Sequence, residues 1–265
     1  MDSYADGKML AEMQGAVGIV TFNQPEKLNA VSVEMWQGLG EIIDRFNADD
    51  AIRVVVLRGA GEKAFVSGGD ISQYAVTRAN AEVARQHATR TTRARTAVQD
   101  CPKPTIACIR GFCLGGGLGI AVQADMRIAG DDARFGIPAA RLGIAYGFEG
   151  LRTLVSLVGP AHARMIMFSA DRIDATEAAR IGLINRVVPA AELWDHVMAL
   201  AGRIAENAPI SIANSKAGIA QVLRDPADRD MAVLEEFQRL SLDSEDFREG
   251  RTAFMEKRRP RFTGR

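Results

Sequence analysis

The stretch TIACIRGFCLGGGLGIA, Thr105–Ala121, decides the fold. Its first half, TIACIRG (Thr105–Gly111), is apolar, β-branched and closed by a glycine, the pattern of a buried strand. Its second half, GFCLGGGLGIA (Gly111–Ala121), puts glycines where that strand ends and a helix opens. Glycine takes φ > 0 and lets a backbone approach a ligand closely. Amides at a helix N-terminus point outward, with the dipole favouring negative charge. A second such segment, KAFVSGGDI (Lys63–Ile71), follows another buried strand, RVVVLRG (Arg53–Gly59), and its loop. Two glycine segments at the ends of neighbouring strands can aim two N–H groups at one oxygen, which is an oxyanion hole. The same glycines equally serve a tight strand-to-helix turn with close packing. A phosphate cradle fits less well, since GGGLG is not GxGxxG and no P-loop Gly-Lys-Ser/Thr occurs.

Outward from these segments, strand-like runs cover Met9–Met13 and Val17–Asn23, and Pro25 ends the second. Ser32 reads as an N-cap, with Glu34 in the first turn, for an amphipathic helix reaching Asn47. A polar helix is expected over Asn80–Asp100 and a further strand over MRIAG (Met126–Gly130). From Glu149 onward the pattern is mostly helix. Asp174 and Glu177 make a capping box, Gly182 is a C′ glycine, and Pro189 opens the next helix. Strands interleaved with helices, then a helical tail, indicate an α/β core with a C-terminal helical part.

The chain has 265 residues, 47% of them hydrophobic and 25% charged, which suits a globular protein with a real core and excludes a disordered one. Its 33 basic and 33 acidic residues cancel, so no global charge draws it to nucleic acid or an anionic membrane. No run approaches the ~20 apolar residues of a membrane span. MDSYADGKML has neither a basic n-region nor a long apolar run, so no signal peptide is expected and the cytoplasm is the expected location. Cys101, Cys108 and Cys113 lack C-x-x-C spacing and read as buried free thiols in a reducing compartment, with no metal site.

Six segments in order resemble the crotonase (enoyl-CoA hydratase/isomerase) superfamily over nearly the whole chain. They are NQPEKLNAVS, KAFVSGGDI, GFCLGGGLGIA, ADMRIAGDDARFGIP, DATEAARIGLINRVVP and DSEDFREGRTAFMEKRRPRF. The resemblance implies a spiral of ββα turns over residues 1–200. It implies a C-terminal helical trimerisation region over 201–265, packed as a homotrimer or a dimer of trimers. It implies that Gly69 and Gly116 donate the two N–H bonds to a thioester oxygen. Substrate and CoA contacts carry over to Lys27, Leu28 and Ala30 in the early loop, and to Ser67, Gly68, Asp70 and Ile71. They carry over also to Leu114, Pro138 and Ala139, and to Phe254 and Lys257 in the tail. Coenzyme A then enters as part of the substrate, and no separate cofactor is expected.

The chain departs from the family's hydratases at both acid/base positions. One glutamate there lies three residues after the oxyanion glycine, where this chain has Gly119. The other follows the proline of FGxP, where this chain has Ala139. Neither residue moves a proton. Around the second site, FGIPAARLGIAYGFEG supplies Arg141, Tyr146 and Glu149 as candidate pocket polar groups. Each has a plainer role open to it: a surface cation, a packing ring, and a first-turn acid. LGIAYGFEG also resembles methylmalonyl-CoA decarboxylases of the same superfamily, which place a tyrosine there. Decarboxylation of a malonyl-type thioester, needing no general base, therefore stands beside hydration and isomerisation. A third class is a CoA- or RNA-binding protein without turnover. The segment Val76–Asp100 carries Arg78, Arg85, Arg90, Arg93 and Arg95, though zero net charge favours a solvated helix face and no nucleic-acid partner.

Overall fold

The computed structural model describes residues 1–73 and 79–265. Strand β1 (Asp2–Tyr4) pairs antiparallel with β2 (Met9–Gln14), which pairs antiparallel with β3 (Val17–Phe22). From β3 the pairing turns parallel, through β4 (Val54–Gly59), β6 (Thr105–Ile109), β8 (Met126–Gly130) and β11 (Arg186–Val188). Four strands of three residues or fewer form a second sheet in the order β10 (Ile173–Asp174), β9 (Arg134–Gly136), β7 (Phe112–Leu114), β5 (Ala64–Val66). Each turn of chain thus lays one strand in the first sheet and the next in the second: β4 then β5, β6 then β7, β8 then β9. That is the spiral of ββα turns expected from the resemblance.

The central strands β3, β4 and β6 are buried on both faces, so they read as continuous apolar runs rather than alternating ones. In β4, Val54 and Val56 enter one hydrophobic cluster while Val55 and Leu57 enter the other; in β6, Ile106 and Cys108 oppose Ala107 and Ile109. Fully burying one such aliphatic side chain is worth roughly 1.5–3 kcal/mol. These strands are therefore the fixed frame that carries the loops.

The helices are α1 (Val33–Ala48), α2 (Ala81–Gln99), α3 (Gly116–Ala121) and α4 (Phe148–Ser169), then α5 (Ala175–Arg180) and α6 (Leu193–Ala205). They end with α7 (Pro209–Val222), α8 (Ala232–Asp243) and α9 (Glu245–Met255). Ser32 caps α1 by accepting from the Met35 amide, and Asp174 caps α5 by accepting from the Glu177 amide. Helix α4 is broken at Gly159, whose φ of +72° leaves the helical region just before Pro160.

The chain after Glu149 is mostly helix, as expected. The span after Glu149 holds β10 and β11, whose two and three residues are too short for a strand period to show. The boundary at residue 200 falls inside α6, whose Leu193, Val197, Ala201 and Ala205 close the second cluster over β4, β6 and β8. Packing thus places the end of the core after Ala205. Among the described residues no helix is long and apolar enough to cross a membrane.

Candidate active site

The early loop is held by Asn29, whose side chain is buried. Its Nδ2 donates to the carbonyls of Ala60 (3.0 Å) and Ala64 (2.8 Å), and its Oδ1 accepts from the Gln24 amide (2.9 Å). Leu28 and Asn29 both sit in the left-handed region, at φ 53° and 55°, a cost of order 1–3 kcal/mol for a non-glycine residue that this network offsets. The loop then pairs with the first glycine segment. The Ser67 amide donates to Leu28 (3.1 Å), the Val31 amide to Gly68 (2.8 Å), and the Asp70 amide to the Val31 carbonyl (3.0 Å). Lys27 Nζ lies 3.3 Å from Asp70 Oδ2. The Ser72 hydroxyl, donating to Asp70, holds that carboxyl below the usual carboxylate range, with Lys27 adding to the effect. Lys27, Leu28, Ala30, Ser67, Gly68, Asp70 and Ile71 are therefore brought together, and the Ile71 side chain is left 62% exposed.

The hydrogen bonds beside Gly69 pass it by: Gly68 accepts, Asp70 donates, and the Gly69 amide is not used. Gly116 opens α3 after Gly115, whose φ of +50° turns the chain from β7 into the helix. A β-carbon on Gly116 would stand 3.4 Å from the Gly69 nitrogen and 3.4 Å from Cζ2 of buried Trp36. Among the described residues neither the Gly69 nor the Gly116 amide donates to a protein acceptor. Close packing is the task of Gly117, where a β-carbon would fall 2.1 Å from the Val66 carbonyl oxygen. The Leu114 carbonyl and Pro138 Cδ border the same spot, 3.6 Å from a β-carbon at Gly68 and 3.8 Å from one at Gly115. Ala139 is buried and begins the short 3₁₀ turn Ala140–Leu142.

Gly119 follows Gly116 by three residues, so both face the same side of α3. A β-carbon at Gly119 would lie 3.4 Å from Tyr146 Oη and 3.4 Å from Arg95 Nη1. The Tyr146 ring rests on Gly150 in the first turn of α4, where a β-carbon would come within 2.5 Å of Cε1. Burial raises the phenol's pKa, and the Arg95 cation opposes that rise without cancelling it. Arg95 Nε donates to the Thr91 carbonyl at 3.2 Å, and no carboxylate among the described residues pairs with its guanidinium.

The other two candidate polar groups stay outside this pocket. Arg141 is ion-paired with Asp171 and donates to the Ser169 carbonyl, while Glu149 pairs with Arg152 at 2.7 Å in the first turn of α4. Both pairs are exposed. Phe254 is 83% exposed, and no hydrogen bond or ion pair among the described residues ties it or Lys257 to the early loop. Within the basic segment, Arg85 pairs with Glu82 at 2.6 Å, and Arg78 lies outside the described residues. Arg95 is the pocket residue that sequence reasoning left on a solvated face. In the structure Thr91, Ala94 and Val98 are buried, and Arg95 stands four after the first and three before the last, on that same side of α2, a burial the polar sequence does not display.

The fold is a spiral of ββα turns in which, among the described residues, the Gly69 and Gly116 amides lie near one another without a protein acceptor. The sequence profile described as enoyl-CoA hydratase/isomerase matches residues 12–265, and the chain belongs to that family, within the crotonase superfamily. It is 37% identical to a short-chain-enoyl-CoA hydratase of Clostridium acetobutylicum, over 95% of either chain. It is 35% identical to a carnitinyl-CoA dehydratase of Proteus mirabilis, over 95% of this chain and 97% of that one. Among solved structures, an enoyl-CoA hydratase/carnitine racemase from Magnetospirillum magneticum superposes with a TM-score of 0.94 at 38% identity, covering 99% of this chain and 97% of that one.

Proposed function

We propose that the protein binds an acyl-CoA thioester and holds its enolate oxygen between the Gly69 and Gly116 amides, without a carboxylate base at either flanking position. The observation that carries this reading is the pair of unused amides, one 3.4 Å from where the other residue's side chain would begin. Preorganised donors of this kind stabilise charge as it develops on the thioester oxygen. The CoA portion is held along Lys27–Ala30 and Ser67–Ile71, and no cofactor is required beyond it. The relatives' names point to hydration and dehydration of acyl-CoA. Yet Gly119 and Ala139 carry no titratable group, and losing one positioned acid/base group forfeits ~10²–10⁴ in rate.

Crotonyl-CoA hydration followed by mass spectrometry is the test. A kcat well under the ordinary ~1–10³ s⁻¹ is expected. A kcat within that range would show that another residue moves the proton and would overturn the reading.

Decarboxylation of a malonyl-type thioester is the second reading, favoured by a tyrosine hydroxyl over Gly119 in place of a carboxylate. The Cα–carboxyl bond breaks, carbon dioxide leaves, and the electron pair stays on Cα, delocalised onto the oxygen held by the two amides. Water then returns a proton to Cα. Release of carbon dioxide from malonyl-CoA separates the two readings. Self-association through the C-terminal helices belongs to the same proposal. Exposed Ile219, Val222, Leu223, Leu242, Phe254 and Met255 support it, and light scattering after gel filtration tests it.

A further inference from the structure

The environment of Gly119 contains donors and no base. Tyr146 presents a hydroxyl whose pKa burial raises, so it stays protonated and can donate. Arg95 presents a fork of five N–H donors, of which the Nε–H goes to the Thr91 carbonyl. Nη1 and the Tyr146 Oη each stand 3.4 Å from the same point above Gly119. A partly buried guanidinium with no carboxylate partner is costly to keep, and buried charges are as a rule paired. The two tips sit one helical step beyond Gly116, at about the 5–6 Å spacing of residues three apart on one helix face. That is the region reached by the first carbons of an acyl chain whose thioester oxygen lies at the Gly116 amide.

Among the described residues, two other cations that the sequence singles out are already ion-paired. Lys27 is bound to Asp70, and Arg141 to Asp171. Gly150 provides the space in which the Tyr146 ring lies, so the hydroxyl is aimed by packing rather than by chance rotation. Packing thus keeps both donors beside Gly119, and among the described residues no carboxylate accepts from either of them.

We infer that Arg95, with Tyr146, is a specificity-determining pair that recognises a carboxylate carried on the acyl group of the CoA thioester. A planar fork binds a carboxylate through two parallel hydrogen bonds, and the phenol adds a third donor. The inference rests on the acyl-CoA reading above and narrows its substrate class from neutral acyl chains to acidic ones.

The test is calorimetric binding of three matched pairs of thioesters: malonyl- against propionyl-CoA, succinyl- against butyryl-CoA, and glutaryl- against valeryl-CoA. Each pair exchanges a terminal methyl for a carboxylate and keeps the CoA portion. In at least one pair the acidic thioester is expected to bind about tenfold or more tightly, the size of one charge-assisted hydrogen bond. In Arg95→Met the ratio within that pair should fall to about one, and Arg95→Lys, a point charge without the fork, should restore part of it. Circular dichroism checks that the variants fold. If Arg95→Met does not fold, Tyr146→Phe carries the test with a smaller fall of the same ratio. Equal affinities within all three pairs, or a ratio that survives in folded Arg95→Met, would overturn the inference while leaving the acyl-CoA reading intact. Failure of all six thioesters to bind would instead overturn that reading, and this inference with it.

Discussion

A β-carbon at Gly116 would sit 3.4 Å from the Gly69 nitrogen, directly in the space a bound oxygen needs. Gly116→Val adds that carbon and two methyls beyond it. Turnover of any acyl-CoA substrate should fall by at least ~10²-fold, the scale of losing one oxyanion donor. The circular dichroism spectrum should stay native, because Gly116 has an ordinary helical φ and the crowded contacts are at Gly117. A folded Gly116→Val enzyme with full kcat/KM would remove Gly116 from the site. At this scale the two glycine segments were legible as turns at strand ends, because a glycine run directly after an apolar β-branched run marks one. Arg95 was not, because a basic residue on a polar helix looks the same in sequence whether it meets water or the open side of a neighbouring glycine. Arg141 and Glu149 stand in exposed ion pairs. Their pairing partners, Asp171 and Arg152, are visible only in space or as an i,i+3 pair.

The early loop and the first glycine segment behave as one element, although thirty-odd residues separate them. Asn29 is their common anchor, satisfying two carbonyls and one amide at once. Asn29→Ala leaves those groups without partners and keeps the left-handed backbone that alanine tolerates less well. A loss of about 1–3 kcal/mol in urea denaturation is expected, together with weaker CoA binding by calorimetry. Undiminished CoA affinity would show that the loop does not shape the site. The longer strands of the first sheet, β2, β3, β4, β6 and β8, and the caps of α1 and α5 could be read directly, since apolar runs of five or six residues and Ser or Asp caps carry strong local signals. The second sheet could not. Its strands of two or three residues are set by the spiral's return path, not by a pattern in their own sequence.

Across the whole molecule, burial decides the chemistry of the thiols. Cys108 is pushed up to about 12 by desolvation, and Cys101 and Cys113 are raised by the same cause. At pH 8 the reactive thiolate is scarce in all three and shielded from reagent. Native protein should therefore show almost no reaction with a disulfide reagent, whereas protein unfolded in guanidinium should release the full count of three. Rapid labelling of one thiol in the native state would contradict this packing. The two clusters that bury these thiols were largely legible from apolar runs. The tail is joined back to the core by Arg53, which donates to the Ala205 and Phe262 carbonyls at 3.1 and 2.7 Å. Asp246 adds to this by accepting from the Thr263 and Gly264 amides.

The slot above Gly119 also constrains which mutational routes are open to this chain. A glutamate installed there would grow straight into Arg95 Nη1 and the Tyr146 hydroxyl, and its carboxylate would be captured as their partner. An ion-paired carboxylate has a lowered pKa and is a poor proton carrier. Gly119→Glu alone, or with Ala139→Glu, should therefore add little crotonyl-CoA hydration. The gain should come only when Arg95→Met is present as well. Measured as a cycle of single and combined variants, the coupling between positions 95 and 119 should reach about 0.5–3 kcal/mol in hydration kcat/KM. Additive effects would mean the two side chains do not share the slot. If the coupling holds, a carboxylate at position 119 and the arginine at position 95 have to be exchanged together, and neither single change opens a route to hydration.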